Sequence, residues 1–195
     1  MSQEGDKIPI LSPAAIDELI RVLCERIAHS DWNTRPLAIV GIHRGGVPLA
    51  KRIFQRLQAL GIGGAAGNLN YGSIDTSFNR DDLGSRGSME IFPNEIDFEI
   101  EGLDILLVDD VISSGRTIRA GLNALMQLGR PHSVRLAVLV DRGCRQMPIQ
   151  PDFCALKLVA RDNEKISLHL DLEDPSHDSL HLVKVTEIDA NGGIQ

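Results

Sequence analysis

Apolar positions along this chain follow a helical period in some stretches and form short unbroken runs in others. After Ser12-Pro13, the residues Ile16, Leu19, Ile20, Leu23 and Ile27 fall at i, i+3, i+4, i+7 spacing. A capping serine and a first-turn proline precede that stripe, so an amphipathic helix is expected over residues 13–29. Leu37–Ile42 (LAIVGI) is an uninterrupted apolar run, too short for a helix and typical of a strand buried on both faces. It ends in His43-Arg44-Gly45-Gly46, and a helical segment is expected from Val47 to Leu60.

The Gly- and Asn-rich stretch 61–72 reads as a connection, and Ser73–Phe78 alternates as a strand. Asn79-Arg80-Asp81-Asp82 and the polar residues 84–88 follow, a composition that predicts a mobile excursion. A second strand–loop–helix unit comprises Leu103–Val108, the turn Asp109–Gly115, and a helix from Arg116 to Leu128 stopped by Gly129 and Pro131. A third strand, Val134–Val140, ends in Asp141-Arg142-Gly143. Strands joined by single helices imply right-handed crossovers and a mainly parallel sheet. The apolar stretches Phe153–Val159, Ile166–Leu172 and Leu180–Val185 read as further strands. With 195 residues and no linker or repeat, residues 1–195 are expected to form one α/β domain.

Composition narrows the class. Hydrophobic residues make up 43% and charged ones 24%, values of a folded globular chain. The net charge of −7 disfavours indiscriminate adsorption to nucleic acid or anionic membrane, so a polyanion has to be held locally. The acidic N-terminus, MSQEGDKIPI, lacks the basic and apolar character of a secretory signal. No apolar run approaches the ~18 residues of a membrane span. The three cysteines, Cys24, Cys144 and Cys154, have neither CxxC nor zinc-finger spacing. A cytoplasmic protein without a membrane partner is expected.

In an open parallel sheet, ligands bind where strands end and helices begin. The most informative such end is Ile105–Thr117, ILLVDDVISSGRT. Two adjacent carboxylates leaving a buried strand suit a hydroxyl-rich ligand or a cation. The small, hydroxyl- and glycine-rich turn after them suits a phosphate monoester, which needs free N–H groups and a helix N-terminus. A flavodoxin-like sheet with a solvated acidic loop is the bland alternative, and a dinucleotide fold lacks its G-x-G-x-x-G.

These thirteen residues resemble the phosphoribosyl-pyrophosphate (PRPP) motif of type I phosphoribosyltransferases. Residues 72–83, GSIDTSFNRDDL, and 129–149, GRPHSVRLAVLVDRGCRQMPI, resemble the corresponding stretches of the PyrR family. Members of that family are uracil phosphoribosyltransferases and regulators of pyrimidine-biosynthesis transcripts. The resemblance runs from about Pro36 to Phe153 and implies the type I fold: a central, mainly parallel sheet flanked by helices, a flexible catalytic loop and a small hood over the base.

By that resemblance Asp109 and Asp110 bind the ribose hydroxyls and, directly or through water, Mg²⁺. Ser113, Ser114, Gly115, Arg116 and Thr117 cradle the 5′-phosphate. Arg80, Asp81 and Asp82 lie on the catalytic loop, His43, Arg44 and Gly45 form the pyrophosphate loop, and Asp141 and Arg142 lead to the base pocket. The implied reaction joins uracil to PRPP, giving UMP and pyrophosphate, in a homo-oligomer that also binds pyrimidine-operon leader mRNA. The chain departs from the family pattern at Arg44-Gly45-Gly46 (usually Thr-Arg-Gly), at Asn79 (a tyrosine), at Ser114 (a threonine), and at Ala155-Leu156-Lys157 (Gly-Lys-Asn). A nucleotide-sensing regulator with little catalysis and a purine phosphoribosyltransferase stand as alternatives.

Other polar clusters are weaker signals. His169, His177 and His181 lie among acids but lack a zinc-binding companion set. Arg80, Arg86, Arg116, Arg119, Arg130, Arg135, Arg142 and Arg145 are the candidates for an RNA-facing patch, and the acidic chain leaves affinity to a small cluster of them such as Arg142 and Arg145.

Overall fold

The computed structural model describes residues 3–32, 35–62, 69–76, 93–161 and 163–186. The chain runs β1 (Gln3–Leu11), α1 (Pro13–Ala28), β2 (Leu37–Ile42), α2 (Gly46–Ala59), β3 (Leu69–Ile74), β4 (Asp104–Ile112), α3 (Arg116–Leu128), β5 (Ser133–Asp141), β6 (Phe153–Lys157), β7 (Glu164–His169) and β8 (Ser179–Thr186). A five-stranded parallel sheet has the order β3-β2-β4-β5-β6. The others form a three-stranded antiparallel sheet, β1-β8-β7.

Alternation along the buried strands sorts their side chains to the two faces of the main sheet. Leu37 and Ile39 of β2 and Leu106 and Val108 of β4 join Ile16, Ile20 and Leu23 of α1 and Leu49, Ile53 and Leu57 of α2 in one apolar cluster. Ala38, Val40, Ile105 and Leu107 face the other way, onto Ile118, Ala124 and Leu125 of α3. This two-sided burial is why the strands read as unbroken apolar runs. Each fully buried Leu or Ile contributes about 1.5–3 kcal/mol. Ser12 caps α1 by accepting the Ala15 N–H at 3.3 Å.

The structure corrects two sequence expectations and adds a strand. β3 occupies Leu69–Ile74, starting four residues before the expected Ser73, because Leu69 to Ile74 pair with Leu37 to Ile42 in parallel register; residues 77 and 78 of the expected strand lie outside the described residues. The strand expected to stop at Val108 continues to Ile112, since its ladder with β5 runs on to the Ile112–Asp141 pair. The acidic N-terminus forms β1, whose partner β8 lies at the other end of the chain. The tail strands divide: β6 extends the main sheet, whereas β7 and β8 build the second one.

Arg52 ties α2 to the connection between β7 and β8. Its guanidinium donates to both carboxylate oxygens of buried Asp178 and to the Asp171 carbonyl, and Asp178 also accepts the Asp171 N–H at 2.9 Å. Among the described residues no helix is long and apolar enough to cross a membrane.

Candidate functional site

The loops after β2, β4 and β5 meet at the carboxyl ends of the parallel strands. Asp109 and Asp110 lie within β4, Asp109 buried and Asp110 partly so. Asp110 N–H donates to Asp109 Oδ1 at 3.1 Å, and Val111 N–H donates to Asp110 Oδ1 at 2.8 Å. Burial pushes the Asp110 carboxyl above the ordinary carboxylate range, against the opposing pull of those hydrogen bonds.

The loop after β2 lies directly on this acid pair. A β-carbon on Gly45 would stand 2.1 Å from Asp110 Oδ2, and one on Gly46 would stand 2.3 Å from the Val108 carbonyl oxygen and 3.0 Å from Asp109 Cα. Two consecutive glycines therefore let backbone pack where any side chain would collide. His43 and Arg44 precede them, joined by a cis peptide. His43 Nε2 lies 3.0 Å from Ser73 Oγ at the end of β3, and partial burial lowers its pKa against the opposing charges of Asp75 and Glu95.

The turn Ser113–Gly115 links β4 to α3 with Gly115 at φ 89°, a left-handed conformation that favours glycine. Its carbonyls are taken: Ser113 O accepts from Arg145 at 2.9 Å, and Ser114 O accepts the N–H groups of Gln146 and Met147 at 2.9 and 3.0 Å. Among the described residues the N–H groups of Ser114, Gly115 and Thr117 donate to no protein acceptor. The turn therefore keeps its donors open beside the N-terminus of α3, an anion-binding arrangement. Arg116 turns from it to Gln146 Oε1, 2.9 Å away.

The segment after β5 is a scaffold for that turn. Arg145 pairs with Asp141 at 2.8 Å, both side chains being largely buried, and also holds the Ile149 carbonyl. Burial tends to raise the Asp141 pKa, but Arg145 and the Gly143 N–H together hold it below the usual carboxylate range. Arg142 donates to Ser113 Oγ and to two carbonyls ahead of and within β7. The two arginines expected to face RNA are thus turned to internal acceptors. Sequence reasoning missed the scaffold roles of Arg145 and Gln146, for which the polar run directly after a buried strand was the available signal.

The structure thus brings together His43, Arg44, Gly45, Asp109, Asp110 and the 113–117 turn, with Asp141 and Arg142 behind the turn. Arg80, Asp81 and Asp82 lie outside the described residues. A cavity of about 370 Å³ lined by Tyr71, Asn94, Glu95, Ile96 and Asp97 sits by edge strand β3, and none of the ligand-loop residues lines it.

The phosphoribosyl transferase domain family matches residues 10–174. The chain is 42% identical to the bifunctional protein PyrR of Picosynechococcus sp., covering 91% of this chain and 97% of that one. It is 38% identical to the bifunctional protein PyrR of Roseiflexus sp., covering 93% and 97%. Among solved structures, the hypoxanthine phosphoribosyltransferase of Trypanosoma cruzi superimposes with a TM-score of 0.61 at 15% identity, over 93% of this chain and 98% of that one. That of Staphylococcus aureus gives 0.58 at 20% identity, over 78% of each. At such identities the structures speak for the shared fold, and the relatives speak for the family. The chain carries a phosphoribosyltransferase domain and belongs to the PyrR family.

Proposed function

We propose that this protein transfers a phosphoribosyl group from PRPP to uracil, releasing pyrophosphate, and that it regulates pyrimidine-biosynthesis transcripts in response to UMP. The observation that carries the reading is the open set of N–H donors at Ser114, Gly115 and Thr117, next to the Asp109-Asp110 pair. In this assignment the turn takes the 5′-phosphate and the two carboxylates take the ribose 2′- and 3′-hydroxyls. The backbone at Arg44-Gly45 faces the pyrophosphate, and the end of β5 leads to the base. Asp141, already paired with Arg145, acts there as scaffold.

Displacement at C1 of the sugar builds positive charge on the ribose and negative charge on the leaving group. The chain's contribution is therefore fixed charge and position, with no covalent nucleophile. Asp109 and Asp110 hold the sugar, while the turn's amides fix its distal phosphate. Arg80, Asp81 and Asp82 are assigned to a loop that covers the pyrophosphate and excludes water.

The acid pair fits Mg²⁺. Burial penalises the charged form of Asp110, which a cation relieves, and the pair presents two adjacent carboxylates as hard oxygen donors. Such a site suits an ion that binds one or two carboxylates and completes its shell with substrate oxygens and water. When bound, Mg²⁺ neutralises charge on the pyrophosphate.

The test couples two assays on the full chain. Uracil and PRPP with Mg²⁺ should give UMP, with hypoxanthine as the competing base. The organism's own pyrimidine-operon leader should bind more tightly with UMP than without it, and more tightly than a scrambled RNA. Transfer with equal, feeble binding to both RNAs would leave the enzyme alone, and transfer to hypoxanthine instead of uracil would overturn the base assignment.

A further inference from the structure

Arg142 directly follows β5, and its backbone N–H donates to the Ile112 carbonyl of β4 at 2.9 Å. Its side chain reaches in two directions from that fixed point. Nη1 donates to Ser113 Oγ at 3.1 Å, at the start of the anion-binding turn. Nη2 donates to the carbonyls of Glu164, at 2.7 Å, and of Arg161, at 3.1 Å. These carbonyls converge because the segment is closed on itself: Glu164 N–H donates to Arg161 O, and Arg161 N–H donates to Glu164 Oε2. Glu164 is the first residue of β7. One planar cation therefore joins the anion-binding turn of the main sheet to the start of the second sheet.

The far end of β7 is fastened in a similar way. Arg52 of α2 grips Asp171 and Asp178, in the connection from β7 to β8. α2 itself begins at Gly46, beside the acid pair. β7 is thus tied at each end to an element that starts at a ligand loop.

We propose that Arg142 is a positioning residue: it makes the start of β7 follow the anion-binding turn, so that a phosphate seated on the turn orders the second sheet before any base arrives. The proposal rests on reading residues 113–117 as the phosphate site. Its physical basis is the guanidinium fork, a rigid plane whose donors hold Ser113 and the two carbonyls at once. A lysine ammonium, a point charge on a flexible stem, cannot reproduce that bridge.

Hydrogen exchange with ribose 5-phosphate is the test, because this probe carries sugar and phosphate but no base. In the wild-type chain it should slow exchange over 113–117 and also over 164–169, the latter by about tenfold, the scale of one charge-assisted hydrogen bond. In Arg142→Ala the slowing over 113–117 should remain while the ligand-dependent slowing over 164–169 disappears, and Arg142→Lys should not restore it. Arg142→Lys keeps the stem and the charge without the fork and should give the same split; it decides the matter if Arg142→Ala does not fold. A merely structural arginine would alter exchange equally with and without the probe. Protection of 164–169 that persists in the variants, or is absent from the wild type while 113–117 is protected, would overturn the proposal. Failure of the probe to protect 113–117 in the wild type would remove the phosphate-site reading itself, and this proposal with it.

Discussion

Gly45 and Asp110 occupy adjoining space: a single methyl group on Gly45 would lie 2.1 Å from Asp110 Oδ2 and 2.3 Å from its Cγ. The loop after β2 and the carboxylate at the end of β4 therefore cannot be placed independently. Gly45→Ala should push the Asp110 side chain aside while sparing the fold, because the colliding atoms end a side chain. A loss of PRPP turnover of about tenfold or more, the scale of a displaced charged acceptor, is expected with little change in thermal midpoint. Gly46→Ala meets backbone instead, the Val108 carbonyl and Asp109 Cα. It should destabilise the protein by about 1–3 kcal/mol, as overpacking does. Denaturant titration beside steady-state kinetics distinguishes the two, and equal effects in both variants would refute the assignment.

Asp109→Asn and Asp110→Asn should each weaken PRPP and UMP. A hydrogen bond to a charged group is worth about 1.5–3 kcal/mol, so each change should cost roughly tenfold or more in affinity. Calorimetry with UMP is the measurement. Unchanged affinity in both variants would dismiss the pair as ribose ligands.

Gly115→Val places a branched side chain on a residue at φ 89°, with Met147 Cβ only 3.1 Å from the first added carbon. The turn must open, which withdraws the amides at Ser114 and Thr117 from a common centre. Phosphate and UMP binding should be lost, and full activity would argue against the placement. An experimental structure grown with sulfate should show the anion on this turn.

The Asp141–Arg145 pair gives a pH dependence with a definite sign. The folded-state pKa of Asp141 is depressed: burial pulls it upward, and Arg145 with the Gly143 N–H outweighs that pull. A depressed carboxyl stabilises the fold above its unfolded pKa of about 3.9, and that stabilisation is lost as pH falls through the lower folded value. Asp141→Asn leaves Arg145 without its partner in a largely buried place and should cost about 3 kcal/mol at pH 7. The difference from wild type should shrink below about pH 4. Urea unfolding at pH 7 and pH 3 tests this, and a constant difference would contradict the ionic role.

Local signals placed α1, α2 and α3 to within a residue or two, because a helix that packs one face repeats its apolar positions and its ends carry residues such as Ser12, Pro13, Gly129 and Pro131 close by in the chain. The acid pair and the 113–117 turn were legible for a related reason: charges leaving an apolar strand, followed by small residues, stand out against the core around them. Partners far apart in the chain were not legible. The pairing of β1 with β8, the approach of Gly45 to Asp110 and the reach of Arg142 and Arg145 to Ser113 each depend on groups brought together across tens to nearly two hundred residues. A hydrogen bond or a steric contact has no period along the sequence. The chain's own pattern thus determined the strand–loop–helix units and the chemistry at their ends, whereas only the folded sheet decided that Arg142 and Arg145 are spent holding the loops in place.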